Sequence, residues 1–283
     1  MVKMYQLGWF STGRGEGSKR LLRTAQESIR SGEIEAEIAF VFCSRERGET
    51  EATDQFFKMV EGYRIPLITF SYRRFKRERG LASASPQETL PTWRLDYDRE
   101  VMKRLQSFHP DLCVLAGYML IVGHEMCQKY NMLNLHPATP QGPTGTWREV
   151  IWKLIESRAQ ETGVMMHLAT PELDKGPVVT YCTFPIRGSP FDKYWKEIER
   201  QPLAEIKEKE GEENQLFKLI RKYGFARELP LVVATIKAFS QGKVKITADK
   251  RVVDAGGRLI RGYNLSREIN RILKQTSPEL VLE

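Results

Sequence analysis

Short apolar runs separated by amphipathic stretches alternate along the first half of the chain. Met4 to Phe10 reads as a strand. Ser18 to Ser31 reads as a helix, with Leu21, Leu22, Ala25 and Ile29 on one stripe. Ile34 to Cys43, Pro66 to Phe70, Asp111 to Ala116 and Met132 to Leu135 read as further strands. Thr53 to Glu61, Asp98 to Phe108 (Val101, Leu105 and Phe108 at helical spacing) and Gly123 to Tyr130 read as the helices between them. This alternation predicts an α/β fold, a Rossmann-like open, mostly parallel sheet with helices on both faces. Right-handed crossovers set the loops that follow the strands along one edge, where such sheets bind ligands.

The pattern changes at Tyr72 to Thr92, which is basic at first and then rich in Ser, Ala and Pro; it predicts a mobile surface excursion. Trp147 to Arg158 predicts a helix burying Trp147, Ile151, Leu154 and Ile155. Gly163 to Ala169 and Val178 to Phe184 read as strands. Tyr194 to Arg221 reads as a long charged helical stretch loosened at Gly211, and Leu231 to Ser240 as another helix. Lys243 to Ile246 and Arg251 to Val253 are expected to pair across a short turn, and the polar tail to pad the domain. The chain shows no internal repeat.

Composition narrows the classes. At 283 residues, 41% hydrophobic and 28% charged, the chain is neither a disulfide miniprotein nor wholly disordered, and either one large or two small domains fit. Lys and Arg total 44 against 36 Asp and Glu, a net charge of +8. That excess fits an anionic ligand or nucleic acid, and equally a surface with no special partner. The cysteines at 43, 113, 127 and 182 form no CxxC pair. They read as reduced thiols of a cytoplasmic protein with no metal site. No apolar run approaches a membrane span, and the N-terminal strand meets a glycine-rich turn without a signal-peptide cleavage site.

Three places carry candidate chemistry. Gly13-Arg14-Gly15-Glu16-Gly17-Ser18 follows the first strand and opens the first helix, so backbone amides and the positive helix end are offered to an anion such as phosphate. It is neither a Walker loop nor the dinucleotide fingerprint, and a bare glycine turn also fits. Asn134-Leu135-His136-Pro137 puts Asn134 and His136 on one face of a strand end. Asn supplies an amide donor, and His an acid, base or donor near neutral pH. Prolines 137, 140 and 143 and glycines 142 and 145 make the following loop look like a shaped wall. Glu172-Leu173-Asp174-Lys175-Gly176-Pro177 places Asp174 in a turn where Gly176 is expected to allow an unusual backbone. No serine or cysteine stands in a nucleophile elbow. His109 and His124 look ordinary, and His167 fits either a support behind the site or a core position.

With Val114-Leu115-Ala116-Gly117-Tyr118-Met119 before the Asn-Leu-His-Pro run, and Gly163 through His167 and Glu172 through Val178 after it, the chain resembles the folate-dependent formyltransferases. It is most similar to the branch that formylates phosphoribosylglycinamide in purine synthesis. The similarity is firmest from Asp111 to Phe184 and extends to Pro230–Ile246 and Gly256–Tyr263. It implies one formyltransferase-like domain over 1–283, with a core of about 1–185, an insertion at about 187–228 and a C-terminal helix and strands at about 229–265. The implied reaction carries the formyl group of 10-formyltetrahydrofolate to the amine of glycinamide ribonucleotide, without a metal. Asn134, His136 and Asp174 are the implied catalytic set. By the same resemblance, Gly13, Arg14, Gly15, Glu16, Gly17 and Ser18 are expected to hold the substrate phosphate, and Tyr118, Met119, Leu120, Ile121, Val122, Thr170, Glu172 and Leu173 to line the folate pocket. The implied partners are the phosphorylated amine and the folate, with no nucleic acid or membrane, and a homodimer is compatible.

The sequence departs from the family pattern in four places. Ala138 to Gly145 replaces a Ser-Leu-Leu-Pro loop. Leu120 stands where an Arg is usual, and Thr247 or Ala248 where a substrate-contacting Glu is usual. The phosphate loop adds Arg14 and Glu16. Alternative acceptors are a nucleotide-linked amino sugar or water. Against a 10-formyltetrahydrofolate hydrolase stands the start of the chain directly at the sheet. Against initiator methionyl-tRNA formylation stands a tail too short for a C-terminal barrel. A silent phosphoribosyl-ligand binding module would have no reason to keep all three of Asn134, His136 and Asp174.

Overall fold

The computed structural model describes residues 4–81 and 90–282. Its strands are β1 (Tyr5–Ser11), β2 (Ala36–Cys43), β3 (Leu67–Thr69), β4 (Leu112–Leu115), β5 (Met132–His136), β6 (Glu161–Leu168), β7 (Val178–Pro185), β8 (Val244–Ile246), β9 (Val252–Asp254) and β10 (Tyr263–Asn264). The helices are α1 (Glu16–Arg30), α2 (Glu51–Gly62), α3 (Tyr72–Glu78), α4 (Thr92–Arg104), α5 (His124–Lys129), α6 (Trp147–Glu156), α7 (Asp192–Ile198), α8 (Leu203–Lys209), α9 (Gln215–Ser240) and α10 (Ser266–Thr276). Eight strands form one sheet in the order β10-β7-β6-β5-β4-β1-β2-β3, and β8 and β9 form a separate hairpin. The expected open, mostly parallel α/β sheet is therefore present.

The chain divides into two compact units. The first takes in the chain up to Asn134, then Leu168–Gly176 and Ile236–Leu259. Here β1 pairs in parallel with both β2 and β4, and β4 in parallel with β5. Strand order therefore turns at the β1/β4 boundary, and in such sheets the crevice at the strand ends there receives ligands. Gly8 makes this central strand possible, because a Cβ would lie 2.6 Å from the Phe40 ring and 2.8 Å from Cys113 Sγ. Phe10, Phe40 and Phe42 pack with Tyr97 and Val101 of α4 and Met126 of α5. Alternation leaves Leu7, Trp9 and Val41, all fully buried, for the opposite face.

The second unit takes in Leu135–His167, Pro177–Thr235 and the chain from Ile260 on. β6 and β7 are antiparallel, and β10 joins β7 in parallel. Its core gathers Val150, Ile151 and Leu154 of α6, Phe184 of β7, Trp195 of α7 and Phe217 of α9. A capping box of Thr146 and Glu149 starts α6. The Arg227 guanidinium is buried 4.3 Å over Phe184, and it donates to the Tyr223 and Leu280 carbonyls at 2.9 and 3.1 Å.

Several sequence expectations need correction. Part of the supposed excursion, Tyr72–Glu78, is helix α3, capped by Ser71 and anchored by buried Phe75; residues 82–89 lie outside the described residues. α4 begins at Thr92 rather than Asp98, since its first buried turns carry Arg94 and Asp98, charges that hide the stripe. The charged stretch from Tyr194 is not one helix. Pro202 starts α8, and the Asn214 side chain caps α9 by accepting from the Phe217 amide at 3.1 Å. α9 then runs through Pro230, so the helix expected from Leu231 begins much earlier. The tail forms β10 and amphipathic α10, burying Ile269 and Leu273. The β8–β9 hairpin is as expected. Among the described residues no helix is long and apolar enough to cross a membrane.

Candidate functional site

The glycine-rich turn leaves β1 and is stitched down by hydroxyls. Gly13 has φ +60°, a left-handed conformation that glycine adopts without strain, and its carbonyl accepts from Thr53 Oγ1 at 3.1 Å. Thr12 is the junction with the next loop. Its amide donates to Gly117 O at 3.1 Å, and its Oγ1 accepts from the Met119 amide at 3.0 Å. Ser44 adds a bond to the same hydroxyl. Gly15 is the N-cap of α1 and makes no side-chain cap. A Cβ on Gly15 or Gly17 would meet nothing within 4 Å, so this backbone is open to approach. Arg14 and Glu16 point outward; Glu16 pairs with Lys19 at 2.9 Å, and that bond holds its carboxyl below the usual range. Ser18 is buried, and a Cβ on Gly117 would lie 2.7 Å from its hydroxyl. Its side chain therefore packs between the two loops.

The segment from Tyr118 to Val122 follows β4. Tyr118 and Val122 are buried, with the Tyr118 ring edge-on to Phe10 at 5.8 Å. Burial pushes the Tyr118 hydroxyl pKa up. Met119 and Ile121 are exposed, as is Leu173 in the later loop. These three are among the few large apolar side chains left exposed among the described residues. Below the segment lies a pair that sequence reasoning missed. Arg94 Nη2 is 2.8 Å from Asp98 Oδ1, with both side chains almost wholly buried. Arg94 also donates to Ile121 O from Nε and Nη2, at 3.1 and 2.6 Å, and the Gly123 amide donates to Asp98 Oδ2 at 2.7 Å. Burial pushes the Asp98 carboxyl up, opposed by Arg94 and the Gly123 amide. The available signal was an Arg and an Asp four apart, flanking Tyr97 on one helix face.

Asn134 sits near the end of β5, and its Nδ2 donates to Asp174 Oδ1 at 3.4 Å. The structure thus brings together two members of the expected set. Asp174 itself takes the left-handed conformation, with φ +56°. Gly176 was expected to supply that freedom. Its actual role is clearance, since a Cβ there would lie 1.7 Å from Leu168 O. Thr170 Oγ1 braces the same loop by donating to Glu172 O at 2.9 Å, while the Glu172 side chain is exposed and pairs with Lys175. His136, two residues beyond Asn134 on β5, is buried. Its Nε2 is 2.8 Å from Pro143 O, inside the proline- and glycine-rich loop. A carbonyl only accepts, so Nε2 carries the hydrogen in this arrangement. The His167 ring stands edge-on to His136 at 6.2 Å. No group of three or more His, Cys, Asp or Glu among the described residues is placed to hold a metal ion.

A parallel sheet with an open glycine loop at its switch point, and an Asn–Asp pair at a neighbouring strand end, is an α/β arrangement whose strand ends are where such sheets take ligands. Residues 14–190 match the formyl transferase family model, and the chain belongs to that family. Phosphoribosylglycinamide formyltransferase of Escherichia coli is 32% identical over 133 residues, which are 45% of this chain and 61% of that protein. The chain thus spans about three fifths of that relative. The Haemophilus influenzae enzyme of the same name is 27% identical over 174 residues, covering 61% of this chain and 70% of that protein. A solved phosphoribosylglycinamide formyltransferase from Coxiella burnetii superposes with a TM-score of 0.64 at 19% identity, over 93% of this chain and 99% of that one. That likeness is one of fold.

Proposed function

We propose that the chain transfers the formyl group of 10-formyltetrahydrofolate to the amine of glycinamide ribonucleotide, in the cytoplasm. The observation that carries this reading is the Asn134–Asp174 pair in a chain of the formyl transferase family. Attack by the amine turns the planar formamide into a tetrahedral centre with negative charge on oxygen. Donors aimed at that oxygen stabilise the transition state more than the ground state, by roughly 3 kcal/mol for one well-placed donor. An amide nitrogen carries two hydrogens. One from Asn134 is directed to Asp174, and we assign the other to the formyl oxygen. His136 is assigned to the same oxygen and to proton transfer. Asp174 favours the protonated imidazole, and the one proton that the amine loses is relayed through this acid–base pair to the folate nitrogen, which gains one as the C–N bond to the formyl carbon breaks. The amides of Gly13, Gly15 and Gly17, with Arg14 adding charge, are assigned to the acceptor phosphate. Tyr118 to Val122, Thr170, Glu172 and Leu173 are assigned to the folate.

A different acceptor is favoured by one observation. Thr247, one of the two residues (with Ala248) at the place where the family carries a substrate-contacting Glu, donates its hydroxyl to Asp249 at 2.5 Å within the hairpin turn. Another phosphate-bearing amine, such as a nucleotide-linked amino sugar, is the second reading.

Purified protein with 10-formyltetrahydrofolate and glycinamide ribonucleotide is expected to release tetrahydrofolate, followed by absorbance. Release only with an amino sugar nucleotide selects the second reading, and release without any amine selects hydrolysis. His136→Ala is expected to lower turnover by about 100- to 10,000-fold. No formyl consumption with any acceptor would remove the enzymatic reading.

A further inference from the structure

We propose that Arg94 and Asp98 of α4 are positioning residues that fix the backbone from Ile121 to Gly123 for folate binding. This rests on the folate reading of Tyr118–Val122. The two side chains hold opposite ends of one short turn. Arg94 grips the Ile121 carbonyl with two nitrogens, and Asp98 accepts the Gly123 amide. Their own bond at 2.8 Å locks one grip to the other. Gly123 admits this approach, because a Cβ would lie 3.0 Å from Asp98 Oδ2 and 2.6 Å from Leu95. Val122, between the two held groups, is thereby pressed into the core while Ile121 faces outward.

A purely stabilising role explains this arrangement poorly. Removing two charges from water costs about as much as their attraction returns, and an apolar pair of similar size is often as stable. What an apolar pair cannot do is choose which carbonyl and which amide face inward. In a segment assigned to the folate, that choice sets where the remaining carbonyls and amides point and which side chains, Met119 and Ile121 among them, face outward. The aromatic setting supports the same role. Trp93 and Tyr97 flank the guanidinium, with ring centroids 5.4 and 5.2 Å from it.

The test pairs Arg94→Met with Asp98→Leu, so that no unpaired charge is left buried, and adds Arg94→Lys alone. Lysine keeps the charge beside Asp98 but lacks the forked reach to Ile121. Tetrahydrofolate binding is measured by calorimetry, and KM is measured for both substrates. The double variant is expected to bind tetrahydrofolate about 10- to 100-fold more weakly and to raise the folate KM alike, with acceptor KM within about twofold of wild type. Arg94→Lys is expected to fall between, and it decides the matter if the double variant does not fold. Unchanged tetrahydrofolate affinity, or equal losses for both substrates, would overturn the proposal. Wild-type protein that binds no tetrahydrofolate would instead reject the folate reading on which it stands.

Discussion

The Asn134 side-chain amide donates to Asp174 Oδ1 at 3.4 Å, so the end of β5 is tied to a loop residue whose own backbone is left-handed. Asp and Asn tolerate that conformation better than other non-glycine residues, because a short polar side chain can bond locally. Chemistry and backbone geometry can therefore be separated at this position. Asp174→Asn should keep the melting temperature and lower kcat by about 100-fold or more, whereas Asp174→Ala should also lose roughly 1 kcal/mol of stability. An Asn variant working at the wild-type rate would show that the carboxylate takes no part in proton transfer.

Gly176→Ala asks a different question of the same loop. With the Cβ position 1.7 Å from Leu168 O, the loop must move. A loss of about 3 kcal/mol is expected, with kcat falling alongside. Thermal unfolding and turnover measured on one preparation check this; an unaltered melting temperature would contradict the clearance described.

Glu16 is a carboxylate beside amides assigned to a phosphate, and it is exposed enough for its field to be screened by salt. Glu16→Gln should lower the acceptor KM a few-fold at low ionic strength, roughly the size of a charge effect at a helix end, and the difference should fade as salt rises. A raised KM would indicate that Glu16 itself holds the acceptor.

Burial pushes the Cys43, Cys127 and Cys182 thiols up to about 12, and it raises Cys113 as well. Unfolded thiols ionise near about 8.5. The folded state thus holds these protons more tightly, so the stability they contribute is complete below that pH and is lost as pH climbs toward the folded values. Iodoacetamide at pH 8 should label native protein far more slowly than denatured protein, and the melting temperature should fall progressively above pH 9. Fast native labelling of all four cysteines would contradict this burial.

Sequence pattern showed the parallel core plainly, because strands such as Leu112–Leu115 are buried on both faces and read as unbroken apolar runs. It did less well where burial and charge coincide. The start of α4 was lost because Arg94 and Asp98 satisfy each other out of water, and periodicity counts both as polar. The division after Tyr194 rests on Pro202 and the Asn214 cap, local signals masked by the helix-forming Glu and Lys around them. At the candidate site, alternation was enough to put Asn134 and His136 on one face. The left-handed Asp174 was misattributed to Gly176, since clearance to Leu168 O depends on chain distant from that turn's own residues. Thr12, which joins the glycine loop to Met119, carries no sequence signature at all.

The glycines of the first unit differ sharply in the room around them. Gly176 has no space for even one added carbon, while Gly15 and Gly17 face open surroundings. Mutational drift would therefore be filtered unevenly. Position 176, in the loop carrying Asp174, admits almost no side chain, whereas the turn assigned to the acceptor can gain side chains without disturbing the fold. New acceptor preferences can accumulate at positions 15 and 17 while the transfer chemistry stays fixed, which makes that turn the place to begin redirecting the enzyme by selection.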